Sequence, residues 1–224
     1  MNRFPPARST TALAVLLFFL SGASALVYQV VWLRLLILIF GSTLFATSAI
    51  LSTFMGGLAL GAFVAGKRMD RSRRSSLWVY GALEVGIGAY ALLVPLLFDA
   101  LTPIYQSVWD AGGSDHLVLL NLAKFGGIAI VLIVPTTLMG ASLPVLARDI
   151  ADDPERIGGK VGALYALNTF GAVGGTFFAG FLAIPAIGVQ TTLWLTAAVN
   201  IGIGAVAMAV GRGAERAARA EHTG

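Results

Sequence analysis

The sequence contains no cysteine and only two histidines, His116 and His222. The absence of cysteine excludes disulfides, thiolate metal ligands and a cysteine nucleophile, and both histidines lie in polar stretches. We therefore expect no zinc site, no catalysis by cysteine or histidine, and neither a metal nor another cofactor. Charged residues are also scarce, at 12% of the chain, which is about half the share of roughly 25% in soluble domains.

Apolar residues, by contrast, make up 57% of the 224 residues. A hydrocarbon core of about 30 Å requires about 20 apolar residues of helix, and six stretches reach this length. The predicted fold class is therefore an all-α integral membrane protein with six transmembrane helices. Their bounds are 11–38, 43–66, 77–98, 117–147, 161–186 and 190–211. They leave a short N-terminal segment, 1–10, and a C-terminal tail, 212–224.

Basic residues are unevenly distributed among the connections between these spans. The segments 39–42, 99–116 and 187–189 contain no Lys or Arg. By the positive-inside rule, both termini face the cytoplasm of a bacterial inner membrane. The same rule explains the net charge of +4, so we expect no nucleic-acid partner. Thirteen of the 15 basic residues share the predicted cytoplasmic side: Arg3, Arg8, Lys67, Arg68, Arg71, Arg73, Arg74, Arg148, Arg156, Lys160, Arg212, Arg216 and Arg219.

Two halves of the sequence resemble each other. GASALV from Gly22 matches GASLPV from Gly140 at a shift of 118 residues, and two further strings match at a shift of 116, LSTF with LNTF and EVGIGAYA with NIGIGAVA. A repeat unit of three spans starts its second copy from the opposite side of the membrane. The matches predict an inverted repeat with halves 11–98 and 117–211, which is the internal plan of one half of a major facilitator transporter.

The N-terminus fits a second interpretation. Arg3, Arg8 and the run ALAVLLFFL, followed by SGASA, resemble a secretory signal cleaved after Ala25. We favour an uncleaved first span, because the apolar run continues to Phe40 and its residues belong to the repeat.

Polar residues inside the spans are the candidates for a ligand or proton site, because each needs a partner or a water-filled cavity in lipid. Glu84 lies roughly 10 Å along its helix from the predicted cytoplasmic start. At this depth it indicates either such a site or a structural pair with another polar group. Lys124 and Arg34 also fit cations that snorkel to headgroups, and Tyr28 fits an aromatic belt at the membrane surface. The candidates are Tyr28, Gln29, Arg34, Glu84, Lys124, Asn168 and Asn200.

Two further features concern the helices themselves. Pro135, Gly140 and Pro144 predict a kink or break in the fourth span, and Gly22 marks the corresponding point of the first. After the second span the chain reads GKRMDRSRR, which resembles the loop that major facilitator proteins place there. An ordinary positive-inside loop explains the basic residues by themselves, whereas Asp70 before Arg71, with Gly66 at the helix end, favours the resemblance. This loop motif comprises Gly66, at the predicted helix end, with Asp70, Arg71, Arg73 and Arg74.

Four strings together resemble one family: SGASALVYQVVWLRLL, GKRMDRSRR, PTTLMGASLPVLAR and GALYALNTFGAVGGTFFAGFLAIPAIG. They are similar to the membrane region of bacterial membrane-bound spermidine synthase-like proteins, also described as fused major facilitator and spermidine synthase proteins. In that family the membrane module is commonly followed by a cytoplasmic aminopropyltransferase-like domain. Only 13 residues follow Gly211, so we expect that domain to be absent and the chain not to be an enzyme.

The resemblance implies a transport-like or anchoring module linked to polyamine or related small-molecule metabolism. Two alternatives remain: a homodimeric major facilitator-like transporter, and a scaffold subunit of a membrane complex. The expected partners are the lipid bilayer, a second copy of the chain, a separately encoded cytoplasmic aminopropyltransferase-like enzyme and a small cationic ligand.

Overall fold

The computed structural model describes residues 8–68, 74–110, 117–150 and 157–221, and in these ranges it is helical without strands. Five helical stretches are long and apolar enough to cross a membrane, which confirms the predicted class of apolar helical membrane protein. The fifth stretch, Gly158–Ala217, continues for 60 residues. The α-helices are α1 (Arg8–Phe40), α2 (Thr43–Arg68), α3 (Ser76–Asp110), α4 (Leu117–Ile150), α5 (Ile157–Phe177) and α6 (Ile184–Glu221), with a π-helical segment, Phe178–Ala183, between the last two.

Several helices extend beyond the predicted spans. The third continues from the predicted end at residue 98 to Asp110, with Pro103 inside it, and α6 continues through Glu221 into the predicted tail. The second ends at Arg68 rather than at Gly66, so Gly66 does not end this helix. Hydropathy marks the lipid-embedded part of a helix, whereas the backbone hydrogen bonds continue wherever nothing interrupts them.

Of the predicted kink or break in α4, the break is absent, because this helix passes through both Pro135 and Pro144. A proline removes the N–H that would bond the carbonyl four residues earlier. For Pro135 that carbonyl belongs to Val131, and the Tyr90 hydroxyl donates to it at 3.1 Å. A side chain of α3 therefore replaces one of the missing backbone bonds of α4.

The first helix likewise continues through Gly22, which serves close packing instead of bending. A Cβ at Gly22 would overlap the Asn168 carbonyl of α5. The helix ends at Phe40, and Gly41 after it has a positive φ of 65°, which is typical of a glycine that follows a helix.

The last predicted connection, 187–189, coincides with a break in the helix geometry. Gly188 has φ 80° and ψ 167° inside α6, a conformation that favours glycine. The residues on both sides of Gly188 are helical, so the break separates two helical segments within α6.

Helices pack mainly in three pairs, α2 with α4, α3 with α6, and α1 with α5. Glycines bring the backbones of α1 and α5 together, because Gly171 contacts Phe19 and Gly175 contacts Ala23. The residue numbers of the two contacts increase together, so α5 runs parallel to α1. Two buried apolar clusters fill the interior, one around Trp32 and the other around Tyr80. Between these clusters α1, α3, α4 and α6 surround a small set of buried polar side chains.

Candidate functional site: a buried carboxylate between four helices

Glu84 of α3 is fully buried, with 0% of its surface exposed. The Ser21 hydroxyl of α1 donates to Oε1 at 2.6 Å, and the Asn200 amide of α6 donates to Oε2 at 2.7 Å. The Ser142 hydroxyl of α4 lies 3.5 Å from Oε1. Four helices therefore converge on one carboxyl group, which we call the Glu84 cluster (Ser21, Glu84, Ser142 and Asn200).

Small residues allow α6 to come close enough for this contact. A Cβ on Gly81 would overlap the Gly204 carbonyl, and one on Gly204 would overlap the Gly81 carbonyl. Because the two backbones touch, the short side chain of Asn200 reaches both the Glu84 carboxylate and the Glu84 backbone carbonyl, the latter at 3.2 Å. In lipid, such close approach commonly depends on glycine.

Tyr80, one turn before Glu84, fixes the position of α1. Its hydroxyl donates to the Leu17 carbonyl at 3.1 Å, and its ring meets Phe18 edge to face with centroids 6.2 Å apart. Leu17 and Ser21 are also one turn apart, so the Tyr80 bond places the Ser21 hydroxyl beside Glu84.

The groups that bond Glu84 in the described part of the chain are neutral. A buried carboxyl group normally needs a countercharge or a proton. Asn200 Oδ1 is also buried and has no hydrogen-bond partner among the described residues. The cluster therefore contains hydrogen-bond donors that orient the Glu84 carboxylate. It also contains an unused acceptor, Asn200 Oδ1, and these two acceptor groups together suit a bound proton or a cationic group.

The other predicted site residues lie away from Glu84. Tyr28 is fully buried and stacks on Trp32 with centroids 5.3 Å apart, so the assignment of Tyr28 to an aromatic belt is wrong. Gln29 and Asn168 are half-buried and Arg34 is exposed.

Lys124 lies at the end of the bundle opposite to Arg74 and Arg148. Its ammonium group donates to the Ile39 carbonyl at 3.3 Å, in the last turn of α1. That carbonyl is one of those left without an intrahelical partner at a helix end. Lys124 and Glu84 are therefore bonded to different groups and do not form a pair.

The loop motif is described only in part, because Asp70, Arg71 and Arg73 lie outside the described residues. Arg74 lies 3.9 Å from the Glu215 carboxylate and 4.4 Å above the Trp78 ring. Its carbonyl accepts a bond from Arg148 at 2.6 Å. The ends of α4 and α6 thus both contact the segment that enters α3.

Sequence reasoning missed Ser21, Tyr80 and Ser142. A hydroxyl in an apolar helix is a weak signal, since serine usually bonds its own helix backbone. Ser142 does belong to the repeated GAS string, which could have drawn attention to it.

One comparison with known proteins finds a relative. The chain is 31% identical over 195 residues to polyamine aminopropyltransferase 2 of Streptomyces coelicolor. The match covers 84% of this chain and 32% of the relative, so the chain spans about a third of the length of the protein it matches. No family model and no solved structure match.

This match corrects the expectation that the chain is not an enzyme. That expectation relied on the absence of a long segment after the last predicted span. The relative that aligns with 84% of this chain is an enzyme by name, so the exclusion is wrong. The match also supports the link to polyamines that the sequence motifs implied. Over most of its length, the chain is similar in sequence to a polyamine aminopropyltransferase.

Proposed function

We propose that the chain is the membrane-spanning module of a polyamine aminopropyltransferase-like protein, and that the Glu84 cluster holds an ammonium group of an amine ligand. The observation that carries the proposal is the match over 84% of the chain to a polyamine aminopropyltransferase. A fully buried carboxyl group with neutral partners supplies the complementary chemistry, because it lacks a countercharge.

The proposed module crosses the membrane six times. A straight helix of 60 residues is about 90 Å long, three times a hydrocarbon core of about 30 Å. The stretch Gly158–Ala217 therefore fits two crossings, and Gly188 provides the point of reversal. The packing of α6 on α3 supports this reversal. Gly81 contacts Gly204 and Gly88 contacts Ala197, so the two helices run antiparallel.

Inverted repeats are also part of the proposal. In the repeat, Gly22 of α1 corresponds to Gly140 of α4. Each of these glycines packs against a backbone carbonyl of a parallel neighbour, Gly22 on Asn168 and Gly140 on Leu58. The two helix pairs α1–α5 and α4–α2 are exchanged when the repeats are exchanged, which is the relation expected of an inverted repeat.

Orientation follows from the basic residues. We place the end of the bundle that carries Arg74, Arg148 and Arg216 in the cytoplasm of a bacterial inner membrane, by the positive-inside rule. The beginning of α1 and the end of α6 then both face the cytoplasm.

Ligand binding tests the Glu84 part of the proposal. Calorimetry in nanodiscs, with spermidine as the probe, would compare the native chain with Glu84→Gln and with the control Glu215→Gln, which alters a carboxylate that lies 3.9 Å from Arg74 and accepts a bond from the Ser75 N–H. We expect at least a tenfold loss of affinity for Glu84→Gln at the inner site and unchanged binding for Glu215→Gln. Equal affinity in a Glu84→Gln variant with native-like thermal unfolding would contradict the proposal.

The same preparation tests two activities. Aminopropyl transfer to a polyamine is part of the proposal because the relative carries that activity in its name. Transport is the second candidate, favoured by the repeat arrangement around a buried carboxylate. Labelled aminopropyl product would support the first, and spermidine uptake into liposomes that is lost in Glu84→Gln would support the second.

A further inference from the structure

A cavity of about 780 Å³ opens at the end of the bundle away from Arg74 and Glu215, between the ends of α1, α3, α4 and α6. We propose that this cavity is a second ligand site that binds an organic cation carrying more than one amino group. Its volume lies within the range of about 300–1,000 Å³ that is usual for small-molecule sites. Six of its lining residues carry the argument: Phe98, Asp99, Tyr105, Trp109, Asp110 and Lys124.

Two carboxylates supply the charge. Asp99 and Asp110 both line the cavity, both belong to α3 and both are exposed. They are about eleven positions apart in the sequence, which is about 16 Å along a helix axis. The structure records no hydrogen bond or ion pair for either carboxylate among the described residues, so both remain available to ammonium groups of one extended ligand.

Aromatic rings line the same cavity as these charges. Phe98 and Tyr105 are buried, while Trp109 is 48% exposed and lines the cavity. Ammonium groups are attracted to the faces of aromatic rings, and tryptophan provides the strongest attraction. Carboxylates combined with aromatic faces favour a cation with an apolar carbon chain over a small inorganic ion.

The cation that lines the cavity, Lys124, is already engaged. Its ammonium group donates to the Ile39 carbonyl in the last turn of α1, where the helix end carries partial negative charge. The two carboxylates of the lining outweigh the single positive charge of Lys124, so the lining has a net negative charge. That charge disfavours an anionic ligand.

The wall of the cavity is preformed. The Tyr105 hydroxyl donates to the Lys124 carbonyl at 3.1 Å, which joins α3 to α4 at this level. Gly127 leaves the space that the Tyr105 hydroxyl occupies, because a Cβ there would overlap it. A ligand therefore meets a Tyr105 ring that is already held in place, so less ordering of that side chain opposes binding.

The proposed site is separate from the Glu84 cluster and does not depend on it. Calorimetry would therefore use Glu84→Gln nanodiscs, in which binding at the inner site is removed, with spermidine as the probe. We expect saturable binding that falls at least tenfold in the added Asp99→Asn/Asp110→Asn double variant and is retained when Glu215→Gln is added instead. In the native chain, each site then contributes one equivalent of bound spermidine.

A second pair of variants checks the aromatic contact. Trp109→Leu should weaken binding several-fold, whereas Trp194→Leu, which replaces a tryptophan of similar exposure outside the lining, should leave it unchanged. Equal spermidine affinity in the double aspartate variant and the Glu215→Gln control would overturn the proposal, as would tighter binding of glutamate than of spermidine. If Asp99→Asn/Asp110→Asn abolishes spermidine binding while Glu84→Gln in the native chain leaves it unchanged, the inner site alone is overturned.

Discussion

Glu84 has two serine neighbours whose hydrogen bonds differ in quality. Ser21 Oγ lies 2.6 Å from Oε1 and Ser142 Oγ lies 3.5 Å from the same atom, and both serines are buried. Hydrogen bonds from hydroxyl groups to oxygen usually span about 2.5–3.0 Å. Ser142 is also 3.5 Å from the Leu138 carbonyl of its own helix, so its hydroxyl is divided between two distant acceptors.

Removing each hydroxyl separately tests this difference. We expect Ser21→Ala to lower the free energy of unfolding by about 1–3 kcal/mol, the range for a buried polar group that loses its partner, and Ser142→Ala to lower it by less than half as much. Thermal and denaturant unfolding in one detergent would measure both. Since the two changes delete the same atom, an equal loss would contradict the assignment of Ser21 as the principal donor.

At the level of helices, glycines divide into those that touch a neighbouring backbone and those that face open space. A Cβ on Gly140 would overlap Leu58, and a Cβ on Gly171 would overlap the Phe19 carbonyl. Gly56 and Gly174 have no neighbouring atom near the corresponding position. Glycines of both kinds occur on α2 and on α5, so their spacing along the sequence does not distinguish them.

Alanine substitution should therefore have opposite effects at the two kinds of position. Gly140→Ala and Gly171→Ala force helices apart, at a cost of roughly 1–3 kcal/mol. Gly56→Ala and Gly174→Ala should leave stability unchanged or raise it by about 0.5–1 kcal/mol, because alanine restricts the unfolded chain. Unfolding temperatures of the four variants provide the measurement, and similar losses in all four would show that the helix pairs are wrong.

For the whole molecule, the number of crossings decides which residues share a side of the membrane. The cavity is lined by both Trp109 and Gln190, so these residues lie at the same end of the bundle. In a six-crossing chain, Arg216 lies at the opposite end, together with Arg74. A single crossing by Gly158–Ala217 would instead place Arg216 on the side of Trp109.

The absence of cysteine makes this arrangement directly testable. Single variants Trp109→Cys, Gln190→Cys and Arg216→Cys would be treated in oriented vesicles with a membrane-impermeant maleimide. We expect the first two to be labelled from one side and Arg216→Cys from the other. Labelling of Trp109→Cys and Arg216→Cys from the same side would exclude six crossings.

Much of the helical architecture could be predicted from the sequence, because the apolar runs alone require helices in lipid. The ends were less predictable: α3 continues to Asp110 through polar residues that hydropathy assigns to a loop. Gly22 and Pro135 were predicted as flexible points, yet packing by Gly22 and the bond from Tyr90 to Val131 keep both helices continuous. These outcomes depend on neighbouring helices, which local composition does not specify.

The sequence by itself determined that this is an apolar, helical protein of the membrane, because scarcity of charge and the length of apolar runs are local properties. It also identified Glu84 and Asn200 as buried polar candidates. Only the tertiary structure decided that they meet, with Ser21 and Ser142, because the partners of Glu84 are 58 to 116 residues away along the chain. The physical reason is that a buried carboxyl group takes its donors from whichever helices pack around it, and helix packing is a property of the whole molecule.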